Sequence, residues 1–134
     1  MKLLTRNTDY AMRAICYAAR EKGKVIAVGE FCRKLKIARP FLRAILQKLH
    51  RAGILSAAKG RNGGFLLRRE AGSISLLEVL WVFQGDKGFL QCRTAGKVCR
   101  NLPVCPLRKK LKVIEKHLFD SLAAITVKSL IDKQ

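Results

Sequence analysis

Three cysteines stand close together in "CRTAGKVCRNLPVCP", residues 92 to 106. Six residues separate Cys92 from Cys99, five separate Cys99 from Cys105, and every charged residue among them is Arg or Lys. Nearby cations favour the thiolate over the thiol, and thiolates bind soft metals and oxidise. Pro106 suits the first position of a helix, so Cys105 is predicted at that helix's N-cap, which also favours a thiolate.

Three thiols alone do not complete a usual zinc or iron-sulfur site, because both normally take four protein ligands. A fourth ligand must come from elsewhere, or one position stays weakly held, as would suit a sensor of oxygen, nitric oxide or iron loss. Asp9, His50 and His117 are the candidates. Each has a plainer role. Asp9, in the first turn of a helix, would interact favourably with the helix dipole, and either His could be a residue on the polar face of a helix. Spacing alone leaves an iron-sulfur cluster, a zinc site and a thiol switch open.

The other two cysteines, Cys16 and Cys32, lie in apolar-periodic segments and are predicted to be small buried hydrophobes. Five cysteines in a chain without a secretory signal indicate reduced thiols. No apolar run approaches the roughly 18 residues of a membrane span. We therefore expect a soluble, cytoplasmic protein with no membrane partner.

The charge is strongly positive, at +19 on 134 residues. Eleven Lys or Arg and no acidic residue lie between Phe31 and Arg69. This concentration favours a nucleic-acid partner, although a solvated, solubility-giving surface is the alternative.

The elements that would position this basic face are readable from periodicity. Helices are predicted from about Thr5 to Ala19, from Val28 to Leu35, and within "ARPFLRAILQKLHRAG", where Pro40 and Gly53 mark the ends. Ala27 and Ala38 stand where helix-capping side chains are often found. The predicted buried stripe of the third helix is Phe41, Leu42, Ile45, Leu46 and Leu49.

The next segment, "ILSAAKGRNGGFLLRR", predicts a β-hairpin around Asn62-Gly63, with positive φ at both central residues. The order of elements indicates a mainly α, winged helix-turn-helix fold, in which the third helix lies in the major groove of double-stranded DNA. Arg39, Arg43 and Gln47 are the candidates for base contact. The candidates for the DNA backbone are Lys36, Lys48, Arg51, Lys59, Arg61, Arg68 and Arg69, with Asn62 also at the wing.

A further helix is predicted over residues 75 to 83, and one long helix from Pro106 to about Leu130. Its apolar stripe runs through Leu107, Leu111, Ile114, Leu118, Leu122 and Ile125. That stripe predicts a homodimer, with packing onto the chain's own domain as the alternative. The expected organisation is a DNA-binding domain (1–84), a cysteine loop (85–105) and a dimerisation helix with a tail (106–134).

Several motifs together resemble the Rrf2 family of bacterial winged-helix regulators, which includes iron-sulfur and nitric-oxide sensors. They are "LLTRNTDYAMRAICYAA", "FLRAILQKLHRAGIL", "GRNGGFLL", "ISLLEVL", the three cysteines and the long last helix. The resemblance implies a homodimeric regulator of transcription, expected to be a repressor, that binds operator DNA and carries a [2Fe-2S] or [4Fe-4S] cluster. The cysteines that hold the cluster in that family match Cys92, Cys99 and Cys105. The interval between Cys92 and Cys99 is one residue longer than is common in the family.

In the nitric-oxide-sensing branch, the partner subunit donates an aspartate as fourth ligand, and Asp9 stands in the matching place. The competing classes are an enzyme and a charge-driven nucleic-acid coating protein. There is no Walker loop, nucleophile elbow, HExxH motif or carboxylate pair. We therefore expect no enzymatic activity and no small-molecule substrate.

Overall fold

The computed structural model describes residues 3–85, 88, 93–94 and 97–132, and the side chains of 93–94 and 97–98 are not considered. The fold is mainly helical and is a winged helix-turn-helix, as predicted. In chain order the elements are α1 (Arg6–Arg20), α2 (Val28–Leu35), α3 (Arg39–Arg51), β1 (Leu55–Ala58), β2 (Gly64–Leu67), a 3-10 helix (Ala71–Ser73), α4 (Leu76–Gln84), β3 (Arg93–Thr94), β4 (Lys97–Val98), α5 (Pro106–Ala124) and α6 (Val127–Ile131).

Helix α1 forms the centre of the core, because it packs against α3, α4 and α6. Thr5 caps it by accepting a hydrogen bond from the Thr8 backbone N–H at 3.3 Å. Its apolar face is closely packed, and Ala11, Ala14 and Ile15 are fully buried. The small alanines let α3, α4 and α6 approach α1 closely, so that four helices share one core.

Helices α2 and α3 form the helix-turn-helix. Ala27 and Ala38 occupy their N-caps and supply no side-chain hydrogen bond, as the sequence indicated. The turn between them places Lys36 in the left-handed region, at φ 57°. Gly53, at φ 79°, follows the end of α3 and allows the chain to reverse into β1.

The wing is an antiparallel pair of strands in which Leu55 pairs with Leu67 and Ala58 with Gly64. The predicted turn conformation is wrong, because neither Asn62 nor Gly63 has a positive φ. The loop is longer than two residues, and the Gly63 N–H donates to the Gly60 carbonyl at 3.0 Å. Gly60 takes the positive φ instead, at 105°.

The base of the wing is joined to the chain segment before α2. Ile26 and Phe65 exchange two backbone hydrogen bonds, of 2.8 and 2.9 Å. A Cβ on Gly64 would lie 2.1 Å from the Ile26 carbonyl oxygen, so this close approach requires glycine. The wing is therefore held by the helix-turn-helix as well as by its own strand pair.

The predicted extent of the last helix is wrong, because helix α5 ends at Ala124 and a separate helix α6 follows. Ile125 is extended, and its carbonyl accepts from the Leu76 N–H at 2.8 Å. Thr126 then begins α6 in a capping box with Ser129. The helix breaks here because the backbone pairs with the residues that precede α4, and α6 then packs on α1.

The apolar stripe of α5 is divided between two environments. Leu122 is buried against Leu77 and Leu80 of α4, so this end packs onto the chain's own domain. Leu107 and Ile114 remain 66% and 62% exposed. Among the described residues, no helix is both long and apolar enough to cross a membrane.

Candidate nucleic-acid interface and cysteine segment

The solvent face of α3 carries the predicted base-contacting residues. Arg39 and Arg43 are exposed and Gln47 is half-buried. The opposite face is anchored by four buried residues, namely Leu42, Ile45, Leu46 and Leu49. This burial fixes the rotation of α3 about its axis, so that the Arg43 side of the helix is available to a ligand.

Phe41 is not part of the buried stripe, contrary to the sequence prediction, because its side chain is 63% exposed. At about 100° per residue Phe41 lies beside Ile45, which is four residues later and 3% exposed, so periodicity alone predicts burial; the first turn of α3 leaves that side uncovered.

Arg39 lies beside the first turn of α2. Its Nη2 atom is 3.2 Å from the position that a Cβ on Gly29 would occupy. The guanidinium group is thus placed at the junction of α2 and α3 while remaining exposed. A side chain at position 29 would have to displace it.

Lys48 points toward α4, since its Nζ lies 5.1 Å from the centre of the Phe83 ring. An ammonium group over an aromatic face is held there by the negative charge of the ring face. This contact was not apparent from the sequence, which indicated only a phosphate contact for Lys48. In the structure, the Lys48 amine has the Phe83 ring as its neighbour.

The remaining predicted backbone contacts lie around α3 and the wing. The exposed ones are Lys36, Arg51, Lys59, Arg61, Asn62 and Arg68. Arg69 differs, because its guanidinium pairs with both carboxylate oxygens of Glu78 and donates to the Ser73 carbonyl at 2.6 Å. The hydrogen bond to Glu78 raises the pKa of Arg69. Arg69 therefore holds the wing to α4.

Cys105 occupies the N-cap of α5, as predicted, with Pro106 next to it. Cys99 begins the preceding turn, where its carbonyl accepts from the Leu102 N–H at 3.2 Å. Both thiols are free and half-buried. The segment was expected to be a loop, but the short strands β3 and β4 pair just before Cys99.

Cys92, the first of the three predicted cysteine ligands, lies outside the described residues. Within the described ranges, no three His, Cys, Asp or Glu side chains are grouped to hold a metal. That search necessarily omits Cys92, and the three-cysteine site stays a prediction.

The candidate fourth ligands have other neighbours in this chain. Asp9 forms an ion pair with Arg13 one turn later, at 3.1 Å, and its side chain is 37% exposed. His50 bonds through Nδ1 to the Leu55 carbonyl at 3.1 Å, where α3 meets the wing. His117 is exposed on α5. His50 and His117 are exposed and Asp9 is partly exposed, and the contacts of Asp9 and His50 are made within this chain.

Cys16 and Cys32 are only partly buried, and both pack against the main core. Desolvation raises the pKa of Cys16, with a smaller opposing effect from the charge of Arg20. Removal from water disfavours the thiolate, so Cys16 is suited to packing rather than to ligand chemistry.

Comparisons with known proteins agree with this architecture. The chain is 33% identical to "Protein aau3" of Rhizobium meliloti over 129 residues, which are 96% of this chain and 84% of the relative. CymR, the global cysteine regulator of B. subtilis, superposes with a TM-score of 0.83 at 17% identity, over 100% of this chain and 99% of CymR. IscR of T. potens gives 0.75 at 18% identity, over 99% and 88%.

A family model described as "Iron-dependent Transcriptional regulator" matches residues 4–133, which include the helix-turn-helix, the wing, the cysteine segment and α5. The chain belongs to the Rrf2 family of transcriptional regulators.

Proposed function

We propose that this transcriptional regulator binds a specific double-stranded operator as a homodimer, and that an iron-sulfur cluster on Cys92, Cys99 and Cys105 changes its affinity for that operator. The observation that carries the proposal is the position of the thiols. Cys105 occupies the N-cap position of α5 and Cys99 lies in the turn before it, so both are beside the helix that carries the exposed apolar stripe.

DNA binding is supported by the exposed face of α3 and by the wing. Arg43 and Gln47 would contact base edges, since Arg and Gln can bond bidentately to guanine and adenine. Lys36, Arg51, Lys59 and Arg61 surround that face and would contact phosphates. No acidic residue interrupts this surface between Phe31 and Arg69.

The donor set fits an iron-sulfur cluster in its chemistry. Cys99 and Cys105 are free thiols with partial solvent access, and the helix N-terminus beside Cys105 favours an anionic ligand. Cys92 would be the third ligand, and Asp9 of a second subunit is the proposed fourth. When bound, the cluster would supply a redox- and ligand-sensitive iron centre.

The residues around the cysteine segment give a route to the DNA-binding face. Helix α4 ends at Gln84, just before this segment, and Phe83 of α4 holds Lys48 of α3. Gln84 also donates to the Leu3 carbonyl at 3.2 Å and to Thr8 Oγ1 at 3.4 Å, which ties the end of α4 to the start of α1. A shift of α4 would therefore change contacts with both α1 and α3.

Such a shift suffices for regulation because the two reading helices of a dimer must match half-sites about 34 to 36 Å apart. A coupling free energy of about 1 to 3 kcal/mol changes affinity roughly 5- to 150-fold. We expect the forms with and without the cluster to differ in operator affinity within that range.

The first experiment is purification without oxygen, followed by a visible absorption spectrum and assays for iron and acid-labile sulfide. A coloured protein containing both, and a colourless Cys99→Ala variant, are expected. Cys16→Ala is the matched control and should keep the colour, because Cys16 is on α1 and packs against the core. Operator affinity is then compared with and without the cluster at one salt concentration, and equal affinities would contradict the regulatory role.

The second candidate is a switch based on cysteine thiols or on zinc. It is favoured by the same observation, that Cys99 and Cys105 are free and partly accessible on either side of one turn. A protein without iron or sulfide, whose operator affinity changes on oxidation or zinc removal, would support this candidate and leave the DNA-binding role in place.

A further inference from the structure

The first turn of α3 carries an aromatic side chain that the fold does not bury. Phe41 is 63% exposed, whereas the other four large apolar residues of α3 are at most 3% exposed. A phenyl ring left in water forgoes the stabilisation that burial would give. An exposed ring on a helix with an otherwise complete apolar face points to a surface that is covered in a complex.

The surroundings of Phe41 favour DNA as that partner. Arg39 and Arg43 lie two residues before and after it, about 160° round the helix, whereas Lys48 lies on the same side as Phe41 two turns later, and all three are exposed. The nearest acidic residue before it in the sequence is Glu30 and the nearest after it is Glu70. A cationic surface of this kind attracts a polyanion such as DNA.

The place of Phe41 on the helix specifies which part of DNA it would meet. In a helix-turn-helix, residues at the N-terminal end of the second helix contact base edges in the major groove. The thymine C5-methyl is the apolar group that base edges present there, and phenylalanine is one of the side chains that contact it.

We infer that Phe41 packs against the C5-methyl group of one thymine in each half-site and thereby determines specificity at that position. The inference rests on the proposed operator binding. It adds an apolar contact to the polar base contacts assigned to Arg43 and Gln47.

The test uses the full-length wild-type protein and an operator that it selects from random duplex DNA. Each thymine of a half-site is replaced in turn by deoxyuracil, which removes the methyl group and leaves every hydrogen-bonding group unchanged. Loss of the buried methyl should weaken binding about fourfold at one thymine per half-site. All other thymines should tolerate the change.

The same series is measured with Phe41→Ala, which should bind thymine and deoxyuracil equally at the sensitive position. Val113→Ala is the matched control, because Val113 is exposed to a similar extent (57%) on α5, and it should keep the fourfold penalty. Phe41→Leu, which retains an apolar side chain, should keep part of it.

The inference is overturned if no thymine is sensitive in the wild type, or if the penalty persists in Phe41→Ala. Since the deoxyuracil series changes only the DNA, the wild-type result stands whatever the folding of the variant. A wild type that selects no operator would overturn the proposed function together with this inference, whereas an operator without methyl sensitivity overturns this inference alone.

Discussion

Individual cations on one helix have different neighbours, and these neighbours determine what each cation can do. On α3, Arg43 is exposed, Arg39 lies beside Gly29 of α2, and Lys48 lies over Phe83. The sequence identified all three as basic and surface-exposed. It did not distinguish them, because the contacts of Arg39 and Lys48 are made with other helices.

We predict that Lys48→Met leaves both DNA affinity and its salt dependence nearly unchanged, since the amine is occupied by the Phe83 ring and not by a phosphate. Unfolding should be easier by about 0.5 to 1 kcal/mol, the usual contribution of an exposed cation-π contact. Lys59→Met, in the wing loop, is the control. It should reduce the slope of log affinity against log salt by about 1, as expected for one lost phosphate contact.

Fluorescence anisotropy across a salt series, with thermal unfolding of both variants, measures the two effects. If Lys48→Met reduces the slope as much as Lys59→Met does, Lys48 contacts a phosphate in the complex and the Phe83 contact is given up on binding.

Elements whose signals are local could be predicted from the sequence. The bounds of α2 and α3 agree with the prediction, and α1 and α4 differ by about one residue. Contacts between distant segments were missed: the pairing of Ile26 with Phe65, and that of Ser75 with Thr126, which ends α5. The hydrophobic periodicity within one segment does not indicate with which distant segment it pairs. The sequence analysis attributed the glycines of the wing to the conformation of the turn. Gly64 is instead required because the backbone at Ile26 approaches it closely.

Gly64→Ala is predicted to destabilise the wing, because its Cβ would lie 2.1 Å from the Ile26 carbonyl oxygen and 2.9 Å from the Ala27 Cα. Backbone atoms on both sides cannot move independently, so we expect a loss of about 1 to 3 kcal/mol in unfolding free energy. Gly72→Ala is the control, since its added Cβ would make only an ordinary contact of 3.8 Å with Lys128. Equal denaturant midpoints for the two variants would contradict the close-approach argument.

The link between α1 and α2 is predicted to depend on pH through Glu30. Tyr17 donates to its Oε1 at 2.9 Å and Lys24 at 3.2 Å, and these hydrogen bonds, the one from Tyr17 foremost, lower the pKa of Glu30 below its ordinary 4.5. A lowered folded-state pKa contributes stability above the unfolded-state value, and that stability is lost as pH falls through the folded value.

The Tm of the wild type should therefore exceed that of Glu30→Gln at pH 7, and the difference should shrink as pH falls below about 4.5. Glu70→Gln, at an exposed glutamate, is the control for a general effect of removing one negative charge. A difference between wild type and Glu30→Gln that stays constant from pH 7 to pH 3 would show that ionisation of Glu30 does not stabilise the fold.

At the scale of the whole molecule, one part of the apolar stripe of α5 stabilises the fold, and the other part is available for association with a second subunit. Leu122 packs within the chain, whereas Leu107 and Ile114 are exposed on the same side of the helix. The sequence predicted the stripe but not where it would be divided, because that depends on the position of α4. The homodimer proposed above would use the exposed half.

Ile114→Glu is predicted to give a monomer that remains folded, because a charge would be placed in the proposed interface and not in the core. Val113→Glu is the matched control, with a similar exposure of 57% against 62% but about 100° further round the helix. It should remain dimeric. Light scattering after size-exclusion chromatography gives the masses, and two variants of equal mass would place the interface elsewhere.

The return of the chain after α5 also affects the order in which the protein can fold during synthesis. Val127 is fully buried in the same core as Ala11 and Ile15, and its N–H donates to the Ile74 carbonyl at 2.9 Å. The ribosome makes the helix-turn-helix and the wing long before it makes α6. Until then one side of α1 lacks its cover, so we expect the core of the DNA-binding domain to be completed only after α6 has emerged.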